Sequence, residues 1–157
     1  MPVQSAFINW KQEPDEYLVR IMGRERASRL NPLKTFLDND IVVSFGSDAP
    51  CTTPDPIIWL DKAVNNGEQS VSVRDALRMC TFNGCFASFD EKKRGSLEPG
   101  KIADMVILSA SPYDIAPEKL GELKVEKLIL AGREYESKKG NALKGIVSGL
   151  FSGSKAF

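Results

Sequence analysis

The run Gly46-Ser47-Asp48-Ala49-Pro50 carries the carboxylate best placed to do chemistry in this chain. It follows Ile41-Val42-Val43-Ser44-Phe45, a β-branched and almost wholly apolar stretch of the kind that forms a strand buried on both faces of a parallel sheet. A carboxylate just past the end of such a strand stands where βα loops gather catalytic groups. There it can take a proton from an attacking water and later return it to a leaving group. A free aspartate, with a pKa near 3.9, is a poor base without help. The usual helpers are absent, because the 157 residues include no histidine, and histidine is the commonest metal ligand and general acid–base. Gly46 and Ser47 are candidate substrate-loop residues beside Asp48, with Gly46 expected to let the backbone turn. Pro50 is expected to stiffen the exit and hold Ala49 extended. The plain alternative is that Ser47 and Asp48 only turn the chain by bonding nearby amides.

Other reactive side chains point to blander roles. Cys80 and Cys85 are five apart, not the short spacing of a zinc or redox pair, and read as packing residues. Cys51 follows the Asp48 loop and is a third candidate for the substrate loop. With no histidine to activate it, a thiolate nucleophile is not expected. Arg24 and Arg26 flank Glu25 and read as a surface ion pair, while Trp10 and Trp59 read as core or rim anchors.

The elements that must position Asp48 follow from local pattern. Pro2 to Asn9 reads as a short strand. A helix opens at Glu13-Pro14-Asp15-Glu16, runs through Tyr17, Leu18, Ile21 and Met22, and is interrupted at Asn31-Pro32. A second helical stretch holds Leu33, Phe36 and Leu37, and a third runs from Ile57 to Val64. Ser72 and Asp75 form a capping box opening a helix that continues to Phe89. Along it Val73, Leu77, Cys80, Thr81 and Gly84 form a stripe whose small members allow close packing. Past Phe89 the texture changes: a charged loop from Asp90 to Arg94, then a type II turn at Glu98-Pro99-Gly100-Lys101. A strand follows from Ile102 to Leu108, then a hairpin of Val125 to Leu130 and Arg133 to Ser137 about an Ala131-Gly132 turn. Residues 138–157, rich in Gly, Lys and Ser, read as a flexible tail.

Three features occur in a telling order: Gly23-Arg24-Glu25-Arg26-Ala27 with Asn31-Pro32-Leu33; the buried strand ending in Gly46-Ser47-Asp48-Ala49-Pro50; and Gly95-Ser96-Leu97-Glu98-Pro99-Gly100-Lys101-Ile102-Ala103-Asp104 before an apolar strand. From about Val3 to about Tyr135 the chain thereby resembles the C-terminal part of the amidohydrolase superfamily, family 3 type. That resemblance implies an α/β fold: the last two strands and helices of a TIM-like (β/α) barrel over residues 1–90, and part of a small β-sandwich domain over 91–137. It also implies hydrolysis of carbon–nitrogen bonds other than peptide bonds, with a divalent metal, zinc by preference, and a small amide-like substrate. Asp48 falls where the family's last essential acid sits, at the end of the eighth barrel strand, as catalytic residue and metal ligand. The histidine pair of the family's first strand would precede Met1. The isolated chain is therefore expected to hold no metal and to lack activity, to be a fragment or half of a split enzyme, and to self-associate or depend on the missing N-terminal portion. The rival reading is a non-catalytic interaction module derived from such an enzyme.

Composition narrows the partners. Lys plus Arg and Asp plus Glu number 21 each, so the net charge is zero and neither nucleic acid nor an anionic membrane is expected as a partner. No apolar run approaches the roughly 20 residues that span a bilayer. Met1 to Ser5 shows no secretory pattern, and three cysteines make no disulfide framework, so the cytoplasm is the expected compartment.

Overall fold

The structure, a computed structural model, describes residues 1–8, 15–27 and 29–135. Trp10, the proposed helix start at Glu13-Pro14 and the tail from 138 onward lie outside those residues. The fold is α/β: a two-stranded parallel sheet, a set of short helices and a three-stranded antiparallel sheet.

Strand β1 is Pro2–Val3 and β2 is Ser44–Phe45, paired in parallel as Pro2 with Ser44 and Val3 with Phe45. Both are shorter than the sequence predicts. Ser5–Phe7 coils into a 3-10 turn, ending the extended stretch expected to reach Asn9. Val43 is fully buried, but Ile41 and Val42 are 40% and 41% exposed, so the apolar run is not buried on both faces throughout. The physical reason is that a strand is defined by its neighbours: among the described residues β2 pairs with β1 alone.

The first helical stretch is also divided. Helix α1, Asp15–Met22, ends at Gly23, whose φ of 81° reverses the backbone, and α2 spans Arg24–Ala27. The Gly23 N–H donates to the Val19 carbonyl at 2.9 Å, closing α1 with the left-handed glycine cap that only a residue without Cβ adopts freely. Glu25 pairs with Arg29 one turn on at 2.7 Å, both exposed, a contact of little energetic weight.

Helix α3 is Leu33–Asp38 and α4 is Pro56–Val64. Asp55 caps α4, its carboxylate accepting from the Ile57 N–H at 2.9 Å, with Pro56 at the first helical position. Helix α5, Val73–Cys80, opens on the Ser72 N-cap its sequence predicts: the Asp75 N–H donates to Ser72 Oγ at 3.1 Å, while Asp75 Oδ2 accepts from that hydroxyl at 2.6 Å in place of the Ser72 N–H of a full capping box. Ser72→Ala is expected to cost about 1 kcal/mol in a denaturant titration, the usual worth of an N-cap.

The helix expected to run on to Phe89 breaks at Thr81 (φ −123°, ψ −92°), and α6, Phe82–Ala87, sets off in a new direction. The break shifts the packed face. Ala76 and Met79 are the buried residues of α5, and a Cβ built on Gly84 would meet nothing within 4 Å, so no close approach depends on that glycine.

The core joins these pieces. Leu33, Val43, Leu60, Ala63, Ala76, Met79 and Leu120 are essentially inaccessible and form one cluster with Val3, Ile8, Ile57, Val71 and Leu123. Leu120 and Leu123 come from the 3-10 segment Pro117–Glu122 and its end, which lies against α4; there Asn65 Nδ2 donates to the Pro117 carbonyl at 2.9 Å. The antiparallel sheet is β3 (Met105–Leu108), β4 (Val125–Leu130) and β5 (Arg133–Glu134). Its hairpin turns through Ala131 and Gly132, both at positive φ, as a two-residue loop matched to strand twist requires. Asp104 locks the corner, with Oδ1 accepting from the Ala131 N–H at 2.8 Å and Oδ2 from Arg94 at 2.9 Å. The predicted type II turn is present: Gly100 has φ 90° and the Lys101 N–H donates to the Glu98 carbonyl at 3.1 Å. Among the described residues, no helix is long and apolar enough to cross a membrane.

Candidate functional site

The parallel ladder delivers the chain to Asp48. The Ser44 N–H donates to the Met1 carbonyl and the Gly46 N–H to the Val3 carbonyl, each at 3.0 Å. Gly46 is thus the last rung, and Ser47 and Asp48 leave the sheet at the C-terminal end of both strands. The turn is made two residues later than the sequence predicts. Gly46 is not in the left-handed region and has free space where a Cβ would be, whereas Asp48 takes φ 53°. Aspartate tolerates that region better than most residues because its short side chain bonds locally.

Hydrogen bonds fix the loop behind it. Ser47 Oγ accepts from the Ala49 N–H at 3.1 Å, and the Cys51 N–H donates to the Asp48 carbonyl at 2.8 Å. The buried Thr52 hydroxyl donates to the Ser47 carbonyl. The Ala49–Pro50 peptide is cis. Gly46 and Ser47 are half-buried, while Asp48 and Cys51 are exposed, so the four candidate residues share one loop with the acid facing out from the strand ends.

Behind the strand stands a residue that local pattern did not single out. Asn83, buried on α6, donates from Nδ2 to the Val43 carbonyl at 2.7 Å across 40 residues of sequence.

The donor set does not by itself fit a metal. A catalytic zinc takes about three protein ligands, and among the described residues no three His, Cys, Asp or Glu side chains gather; the full sequence has no histidine. Asp48 alone offers one carboxylate, fewer ligands than such a centre takes.

The thiols divide by environment. Burial pushes the Cys80 thiol from 9.0 up to about 12, whereas Cys51 is exposed. A raised folded-state value favours the protonated thiol in the fold. That contribution to stability is intact below pH 9 and is lost as pH rises from 9 toward about 12. At pH 8 Cys51 is expected to react with a disulfide reagent at least about tenfold faster than Cys80, because the thiolate is the nucleophile; peptide mapping reads both rates, and equal rates would contradict the burial assigned to Cys80.

The sequence profile of the amidohydrolase family matches residues 1–135. The chain belongs to the amidohydrolase family. This amidohydrolase segment is 33% identical over 136 residues to an N-substituted formamide deformylase of Arthrobacter pascens, a match covering 81% of this chain and 23% of that protein. It is 33% identical over 90 residues to a 5-methylthioadenosine/S-adenosylhomocysteine deaminase of Thermoanaerobacter pseudethanolicus, covering 52% of this chain and 21% of the other. Among solved structures, a metal-dependent hydrolase of Pyrococcus horikoshii superposes with TM-score 0.53 at 29% identity, over 64% of this chain and 22% of that one. An adenosine deaminase of Xanthomonas campestris with bound Zn superposes with TM-score 0.60 over 79% of this chain and 34% of that one; at 18% identity it shows the shared fold. The chain thus spans about a quarter of the length of the curated relatives it matches.

Proposed function

We propose that this chain supplies the C-terminal portion of a metal-dependent hydrolase that cleaves carbon–nitrogen bonds outside peptides, with Asp48 as its proton-transferring acid. The observation that carries the reading is Asp48 at the C-terminal end of two parallel strands, within a segment matched by the family profile throughout. The relatives named as a formamide deformylase and deaminases support the bond class. In this reading the residues up to about 90 are the end of a barrel and those from about 91 to 137 belong to a small sandwich.

Asp48 holds the proton in transit. Its carboxylate oxygen takes a proton from water as the water oxygen bonds to the substrate carbon, then passes that proton to the nitrogen as the carbon–nitrogen bond breaks. Ser47 and Cys51 line the approach, and Gly46 leaves space beside it. The divalent metal, zinc in this reading, belongs to the whole enzyme, with most of its ligands outside residues 1–157. The three free cysteines support a reducing, cytoplasmic setting.

A second reading, a non-catalytic interaction module, is favoured by the absent histidines and by the open sheet: Val106 and Val125 are each 52% exposed. Both readings leave strand edges unpaired and both predict self-association or capture of a partner. A concentration-independent monomer in analytical ultracentrifugation would count against them together.

The discriminating experiment is a chimaera in which residues 1–135 replace the matched C-terminal segment of the Arthrobacter pascens deformylase, with assay of N-substituted formamide hydrolysis and metal content. Turnover that is lost in Asp48→Asn while metal content is retained supports the hydrolase reading. A metal-loaded chimaera that turns over equally well with Asp48→Asn would sink the role given to this acid.

A further inference from the structure

Residues of a strand send their N–H and C=O groups alternately to either side. Ser44 and Gly46 direct theirs to β1, as their bonds to Met1 and Val3 show. Val43 therefore directs its carbonyl the opposite way, to the edge of β2 where, among the described residues, the sheet has no further strand. Asn83 Nδ2 occupies that edge, donating at 2.7 Å to a carbonyl whose residue is fully buried. A side-chain amide thus stands in for the backbone N–H of a neighbouring strand at one rung, five residues before Asp48.

Two features hold Asn83 at that rung. The break at Thr81 redirects α6 so that its second residue is buried. The loop after α6 then presses on the helix from the far side of the sequence. Gly95, at φ 89°, lies so close that a Cβ there would sit 2.9 Å from Phe82 Cα and 3.0 Å from Cys85 Cβ. Lys101 places its ammonium 5.7 Å from the Phe82 ring centre and bonds Ser96 and Glu98. The Ser96 hydroxyl, then Lys101, hold the Glu98 carboxyl below its ordinary value, so the acid stays charged within the clasp.

We propose that Asn83 is a positioning residue for the Asp48 loop: it fixes the height of β2 through the Val43 carbonyl, and the Gly95–Lys101 segment clamps the helix that carries it. Its relevance to turnover rests on the role assigned to Asp48. The structural claim does not, and it is tested without metal or substrate, so failure of either leaves the other standing.

The test is hydrogen–deuterium exchange with mass spectrometric readout on the full chain. Asn83→Leu keeps the number and branching of side-chain heavy atoms and leaves the Val43 carbonyl unpaired. Peptides covering 43–51 are expected to lose protection by about tenfold while those covering the β4–β5 hairpin keep wild-type protection. Equal loss in both segments would reduce Asn83 to general stability, and no loss in either would leave the bond without consequence; each overturns the proposal. Should Asn83→Leu not fold, Asn83→Asp decides. An ionised carboxylate can only accept, whereas a neutral carboxyl can donate to Val43 again. Protection of 43–51, taken relative to wild type at the same pH, is expected to recover as the acid is protonated. Absence of recovery overturns the proposal.

Discussion

Asp48→Asn in the deformylase chimaera is expected to lower kcat by about 10²–10⁴ while KM changes little, the range associated with loss of a positioned acid–base group. The amide is nearly the same size and keeps the ability to turn locally, so the φ of 53° and the Cys51 N–H to Asp48 carbonyl bond should survive. What it loses is the capacity to accept a proton and hold it. Asp48→Glu separates chemistry from charge. It restores the carboxylate but moves it by one methylene, and displacement of a reacting group by about 1 Å can cost 10²-fold. A rise in KM with kcat intact would instead mark Asp48 as a substrate-binding residue.

Leu60→Ala is expected to destabilise the chain by about 2–5 kcal/mol in a denaturant titration. Leu60 is 2% exposed at the middle of α4, in the cluster that brings together Val3 and Val43 from the parallel strands, Met79 from α5 and Leu120 from the 3-10 segment. A cavity there falls within the main buried cluster, and domains of this size hold only about 5–15 kcal/mol in all. Val106→Ser is the control. Val106 is 52% exposed on β3, so its replacement should stay within about 0.5 kcal/mol. Comparable losses from the two variants would mean that the open sheet is covered in solution.

The contrast between those two positions also shows which parts of the fold were readable from sequence. The N-cap at Ser72, the Pro99–Gly100 turn and the Ala131–Gly132 hairpin are local devices, complete within a few residues, and all three stand where the sequence places them. The strands at Pro2–Val3 and Ser44–Phe45 are shorter than predicted because strand length depends on partners distant in sequence. The break at Thr81 carries no glycine or proline to announce it. Gly23 did carry a signal, and its left-handed cap was legible but read as helix interior.

The candidate site divides in the same way. Asp48 stands out in the sequence by its place after an apolar strand, and Gly46, Ser47 and Cys51 lie in the same loop. The sequence places the turn at Gly46, which lacks a Cβ, whereas Asp48 is the residue at positive φ. Asn83 could not be found by spacing: its partner is 40 residues away, and only burial of both groups makes their bond matter.

Elemental analysis of the purified chain, after incubation with excess zinc and exhaustive dialysis, tests most directly the claim that Asp48 is one acid of a centre completed by residues outside residues 1–157. Far less than one zinc per chain is expected, with the same trace of metal in wild type and Asp48→Asn. One zinc per chain, retained through dialysis and lost in Asp48→Asn, would contradict it and place a complete metal site within these 157 residues.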